Sequence, residues 1–379
     1  MRQTEKQRRG KTKRGHRGKE PITRRRKRRR SLIGKIGIAL LVLLTTVLLL
    51  ALLAAAAVLW MNAHGRSSLL KRQEERPDQM EQMAEEETSS GLPDGAIRYN
   101  GKAYLYKENI LTFLCMGIDR KGEVEASEDL FQGGQADSLF LAVLDQDEKK
   151  ISIIGINRDT MTEINVYDAN GLYAGKEVAQ IALAHAYGDG LEESCENTVE
   201  AVSNLFYGLP IHGYCALNMS VISTINDAVG GVDVTIPASL AGKGDGWTEG
   251  ERVHLMGEDA YTFIHDRDTS VARSAEERLE RQKQYLNAFV AQAKSAMRSD
   301  MTLPLKLYTQ VTPYMVTDVT ADEAVYLAGQ ALSYSFSPED IYSMEGHVEM
   351  GDTFEEFYQD DTALYEMILE IFYEELPDA

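Results

Sequence analysis

Three short stretches set carboxylates and guanidinium groups against the ends of apolar runs, where an α/β sheet gathers its ligands. "MGIDRKG" carries Asp119 and Arg120 just past one run, "GGQADS" carries Asp137 just before a second, and "INRDT" carries Arg158 and Asp159 directly after a third. Singly, each is an ordinary turn or capping residue. Jointly they suit phosphate chemistry. Carboxylates hold a hard divalent cation such as Mg2+, which keeps water and phosphate oxygens in its shell. Guanidinium forks match phosphate oxygens and stay charged when partly buried. Phosphoryl transfer asks mainly for such positioning and electrostatics.

A fourth stretch, "HDRDTSVARSAEERLERQ" from His265 to Gln282, sets Arg267, Arg273, Arg278 and Arg281 among five carboxylates directly after the apolar "AYTFI". Glu277 and Arg281 stand at i,i+4 and can pair on a solvated face. Arg278 and Arg281, at i,i+3, share nearly one face and repel unless an anion lies between them. Spacing leaves both readings open, a solvated helix or an anion site. The GxSxG, HExxH and GxxxxGK[ST] signatures are missing, and the seven histidines are scattered without ligand spacing. "GKGDG", Gly242 to Gly246, lacks the strand-then-helix context of a phosphate loop and reads as a surface loop.

The elements that must position these residues follow from the apolar pattern. "LTFLCMG", "SLFLAVLD" and "KISIIGI" are continuous rather than alternating, which predicts strands buried on both faces of a sheet. "SCENTVEAVSNLF" and "VISTINDAVG" repeat apolar residues at helical spacing, and the second stops at Gly230-Gly231 before the strand-like "VDVTIP". Thr320 or Asp322 would cap a later helix, and "DDTALYEMILEIFYEEL" reads as the last one. Strands mixed with helices imply an α/β domain with helices on both sheet faces. Cys115, Cys195 and Cys215 form no close pair, so neither disulfides nor a cysteine metal site is expected.

Charge divides the chain. Residues 1–30 hold sixteen Lys or Arg against two Glu, so of the formal net charge of −19 the remainder carries −33. Between head and body, Ile36 to Met61 runs for twenty-six residues without a charge, enough at about 1.5 Å per residue to cross a hydrocarbon core of about 30 Å. The basic side stays cytoplasmic, so the body is expected outside the cell membrane on a single span. The head then sets topology and meets anionic lipid, and no nucleic-acid partner is expected. The expected order is a basic tail over 1–35, a transmembrane helix over 36–61, a polar stalk over 62–98, the main domain over 99–300, and an extension packed on it over 301–379.

With these residues in view, "ADSLFLAVLDQDEKKISIIGINRDT", "AQIALAHAYGDG", "DAVGGVDVTIP", "HLMGEDAYTFIHDRD" and "ERLERQKQYL", in that order across roughly residues 109–295, resemble the LytR-CpsA-Psr family of cell-envelope proteins. The resemblance implies a three-layer α/β/α domain with a mixed central sheet, preceded by one transmembrane helix. It implies an apolar cavity for a polyprenyl chain whose pyrophosphate is held at the mouth. The implied activity moves an anionic glycopolymer, such as teichoic acid or capsule, from a polyprenyl-pyrophosphate carrier to peptidoglycan. Asp119 and Asp137 would be Mg2+ ligands, and Arg158, Arg267, Arg278, Arg281 and Gln282 would bind the pyrophosphate. Asp159 would orient an arginine or assist the incoming hydroxyl. Against the family pattern, Gln135 and His265 replace arginines, Gln180 a lysine, Ala182 an asparagine and Ala275 an aspartate. The lost cations allow a second function, holding polyprenyl phosphates or wall polymer without turnover. A regulator, the third, finds no helix-turn-helix in residues 1–30.

Overall fold

The computed structural model describes residues 56–72, 79–80, 92–93, 95–127, 132–168, 170–266 and 274–377. Among these no helix is long and apolar enough to cross a membrane. The expected span over 36–61 lies outside them up to residue 55, as does the basic tail.

Residues 60–379 form one compact unit, a mixed α/β fold around a six-stranded sheet. Its strands are β1 (Ile110–Ile118), β2 (Ala136–Asp145), β3 (Lys150–Ile156), β4 (Gly213–Asn218), β5 (Met315–Thr317) and β6 (Ile341–Ser343). They lie in the order β5-β4-β1-β2-β3-β6. β1 runs antiparallel to β2 and parallel to β4, β2 antiparallel to β3, β5 antiparallel to β4, and β6 parallel to β3. The sheet is therefore mixed. The three continuous apolar runs form its centre because both of their faces are covered. Leu114, Leu139, Leu141 and Ile154 belong to one core with α1 (Glu192–Leu205) and α6 (Asp361–Phe372). Phe113, Leu144 and Ile153 belong to another with Tyr326 of α5 (Ala321–Ala331) and Leu286 of α4 (Ser274–Ser299).

Local signals stop the elements where the sequence places them. α2 (Ile222–Val229) ends at Gly230, held at φ 95° where an L side chain would be strained. Its amide and that of Gly231 return to the carbonyls of Asp227 and Asn226. Of the two candidate caps for α5, Thr320 is the one used, in a reciprocal capping box with Glu323.

Three arrangements differ from the linear reading. "YEEL" leaves the last helix as a strand, Tyr373–Leu376, because it pairs with Lys102–Tyr106 and sets Tyr373 edge-on against Tyr106. Residues 301–379 supply both edge strands of the central sheet, β5 and β6. Within 62–98, Leu69 is buried in the core, and Arg72 donates to the carbonyl of His212 at 2.9 Å and to Asp318 at 2.8 Å. One leucine and one arginine in a polar stretch give no periodic signal, so only the fold exposes this docking.

Replacing Thr320 by Ala removes one side of the capping box and should lower stability by about 1 kcal/mol in a urea titration. An unchanged midpoint would mean the cap contributes nothing to holding α5 on the sheet.

Candidate functional site

β2 begins at the site. The turn before it passes through Gly134 at φ 84°, where a Cβ would meet Ile118 and Arg120 at under 3 Å, so only glycine turns the chain here. Two residues on, Ala136 is fully buried, and the next residue, Asp137, sets a buried carboxylate between two arginines. Arg158, directly after β3, donates to one carboxylate oxygen. Arg278, in the first turns of α4, donates to the other at 3.0 Å and to the Asp137 carbonyl at 3.1 Å. The second nitrogen of Arg158 donates to Gln135 Oε1, so the neutral residue where an arginine was expected serves as an acceptor.

Arg158 is held from its other edge as well. Its Nε stands 3.4 Å from Asp159 Oδ1, which also accepts from Gln180 Nε2 at 3.2 Å. Gln180 donates in turn to the carbonyl of Glu355 at 2.7 Å, tying the site to the C-terminal part of the chain. Ala182 is buried and joins through its backbone, donating to the carbonyl of Arg158 and accepting from Ala136.

One turn beyond Arg278, Arg281 donates to the carbonyls of Phe263 and Asp266. Backbone acceptors thus take this second cation, and a carboxylate takes the first, so no intervening anion is needed to keep the pair together. The compensation is incomplete. Burial, and then the neighbouring charge of Arg278, push the Arg281 guanidinium down to about 10, and its Nε is buried without a hydrogen-bond partner. Gln282 donates to Ser138 Oγ and to the carbonyl of Ile264. Glu277 and Glu280 face solvent and Glu276 is half-buried, so the stretch is divided by face. Arg267 and Arg273 lie outside the described residues, and so does the side chain of Ala275.

Asp119 sits just past β1, its amide donating to the Gln135 carbonyl at 3.1 Å. Asp119, Asp137 and His265 each offer one ligand atom, all within 4.8 Å of one another. Two carboxylates and an imidazole are a donor set that fits a divalent cation. His265, which no spacing rule connects to a carboxylate, closes α3 (Glu258–His265) with its ring stacked on Tyr261.

Beside this cluster lies an apolar cavity of about 230 Å3, walled by Cys115, Phe140 and Cys215 of the sheet, Ile222 of α2, and Tyr285 and Phe289 of α4. Four of its lining residues adjoin the polar cluster in the chain. Gly117 lies two before Asp119, Ser138 follows Asp137, Ile264 precedes His265, and Gln282 lies one turn after Arg278. The charged cluster therefore borders the cavity, next to the Gln282–Ser138 contact in its wall. Its lining was invisible in the sequence because apolar residues around a void have the same periodicity as residues around a core. A larger groove of about 810 Å3 flanks α4, where Glu276, Glu277 and Glu280 stand beside Arg281 and Lys283, so acidic groups outnumber basic ones along it.

The model of the LytR_cpsA_psr family matches residues 63–369. The chain belongs to this family. LytR_cpsA_psr relatives include the protein named polyisoprenyl-teichoic acid–peptidoglycan teichoic acid transferase TagU of Bacillus mycoides, 29% identical over 221 residues, covering 58% of this chain and 64% of the relative. The TagU of Halalkalibacterium halodurans is 28% identical over 211 residues, covering 56% and 62%. The chain thus spans a little under two thirds of the length of these curated relatives. Among solved structures, Bacillus subtilis TagV superposes with a TM-score of 0.54 at 25% identity, covering 69% of this chain and 95% of TagV. TagT bound to LI-WTA superposes at 0.53 and 19% identity, covering 69% of this chain and 89% of TagT, a likeness of fold alone.

Asp137→Asn should leave two buried guanidinium groups facing one neutral amide and destabilise the fold by about 3–5 kcal/mol. Millimolar pyrophosphate should restore part of the lost thermal stability by replacing the missing anion. Equal destabilisation with and without pyrophosphate would show that the arginines cannot take an external anion.

Proposed function

We propose that this LytR_cpsA_psr member is a phosphotransferase that moves an anionic glycopolymer from a polyprenyl-pyrophosphate carrier to peptidoglycan. The observation that carries this reading is the arginine and aspartate cluster bordering an apolar cavity, because a lipid pyrophosphate has those two parts in that order. The names of the TagU relatives support the same reaction.

The cavity takes the head end of the lipid chain, and the pyrophosphate lies over Arg158, Arg278 and Arg281, with Arg267 as a further donor. Arg158 and Arg281 each hold a buried Nε–H without a hydrogen-bond partner. Bound at Asp119 and Asp137, Mg2+ would neutralise further charge on the pyrophosphate. Asp159 keeps Arg158 oriented from the side opposite Asp137, and Gln282 and Ser138 close the polar rim above the apolar wall. A sugar hydroxyl oxygen of the acceptor attacks the phosphorus that carries the polymer. The bond from that phosphorus to the bridging oxygen breaks, polyprenyl phosphate leaves, and the hydroxyl proton goes to solvent. The arginines stabilise charge on the departing phosphate, which is where fixed positive groups accelerate such a step.

A body of −33 opposes long-range approach of an anion, but salt screens that field beyond about 8–10 Å, so the local cations decide at the pocket. In this reading the apolar run 36–61 anchors the chain in the cell membrane with the domain outside. The exposed Trp60, stacked on His64, suits an interfacial position at its end.

The test is to incubate the full chain in detergent with a polyprenyl-pyrophosphate glycan, peptidoglycan and Mg2+, and to measure released polyprenyl phosphate. Arg278→Ala should slow release by about a hundredfold or more. Binding without release would favour a protein that holds the lipid, in keeping with the neutral Gln135 and Gln180, and an absence of binding would overturn both readings.

The cavity supplies an independent check. Cys115 is exposed to the cavity, and its apolar surroundings push its thiol up to about 11 and raise that of Cys215 as well, so both should alkylate slowly at neutral pH. Polyprenyl phosphate should slow them further while leaving DTNB reaction of the denatured chain unchanged. Alkylation unaffected by the lipid would place it elsewhere.

A further inference from the structure

His265 stands where the family resemblance expects an arginine, and its surroundings in this chain are those of a ligand. Its ring is stacked on Tyr261, with centroids 4.7 Å apart and planes 15° apart, which fixes the plane in which its nitrogens lie. Its Nε2 stands 3.4 Å from Asp119 Oδ1, long for a hydrogen bond and short enough for both atoms to share an ion. Asp137 Oδ1 and Oδ2 each already accept one arginine hydrogen, but a carboxylate has about four lone-pair sites, so a cation can still join.

We propose that His265 is a third protein ligand, with Asp119 and Asp137, to a divalent cation beside the cavity, and that its nitrogen turns the site's preference from Mg2+ toward a first-row transition ion. This rests on the metal reading given under Proposed function and deepens it. The chemical reason is the donor set. Oxygen-only ligands suit Mg2+, which gives up its waters reluctantly, whereas an imidazole nitrogen strengthens binding of Mn2+, Fe2+, Co2+ or Zn2+ along the usual affinity order. An arginine at 265 would offer no lone pair and a repelling charge. The ligand atoms all lie within 4.8 Å of one another, and an octahedron with bonds of about 2.1 Å asks for no more than about 4.2 Å. Asp119 has the freedom to adjust, since its side chain is 54% exposed while Asp137 is pinned.

The experiment uses Mn2+ as the probe, added to the full chain in detergent and read by pulsed electron paramagnetic resonance. The unmutated protein should show coupling between bound Mn2+ and an imidazole nitrogen, and the pattern should change when histidine is labelled with 15N. His265→Gln, and separately His265→Arg, should lose that coupling and raise the Mn2+ dissociation constant by about tenfold or more, with little change for Mg2+ measured by competition. Circular dichroism and thermal melting report whether either variant has failed to fold. Mn2+ bound without nitrogen coupling, or coupling that survives in His265→Gln, would overturn the role of His265 and leave the Asp119 and Asp137 reading intact. A failure of Mn2+ and Mg2+ to bind the unmutated chain at all would overturn both.

Discussion

The Asp137 carboxylate, clamped by Arg158 on one oxygen and Arg278 on the other, is the interaction around which the rest of the molecule is arranged. It joins the start of β2, the end of β3 and the first turns of α4, three segments far apart in the chain. Two guanidinium groups brought this close would otherwise repel, and a carboxylate buried without them would be costly to ionise. The arrangement is therefore stable only as a set. It also stores two phosphate-matching forks at one point with their geometry already fixed, which lowers the ordering cost when an anion binds.

The cavity depends on the same clamp. α4 carries Arg278 on the turn that reaches Asp137 and, further along, Gln282, Tyr285 and Phe289 on the turns that roof the cavity. Moving the clamp would move the roof. Polar cluster and apolar wall are thus two consequences of one helix lying across one sheet.

Much of the fold was legible because its signals are local. The continuous runs became β1, β2 and β3, Gly230 ended α2, and Thr320 capped α5. The candidate site was legible as residue types at strand ends and on one helix: Asp137 meets Arg158 and Arg278 with Asp119 nearby, while Arg281 turns to the carbonyls of Phe263 and Asp266. Their partners were not legible. Gln180 holds Asp159, Gln135 accepts from Arg158, and His265 meets Asp119 across 146 positions of chain. Neutral or weakly basic side chains such as these look like losses in a linear reading because their value lies wholly in who faces them. The strand at Tyr373–Leu376 was hidden for a related reason, since pairing with Lys102–Tyr106 overrides the helical pattern leading into it.

The central claim is that one site recognises two chemically opposite parts of one molecule, a chain in the cavity and a pyrophosphate beside it. Calorimetric titration of the full chain with polyprenyl pyrophosphate, polyprenol and inorganic pyrophosphate, each with Mg2+, tests it most directly. The lipid pyrophosphate should bind at least about a hundredfold tighter than either part alone, because one linked ligand gains both contacts for a single loss of freedom. Equal affinity for polyprenol and polyprenyl pyrophosphate would contradict it, for the arginines gathered on Asp137 would then have no part in holding the ligand.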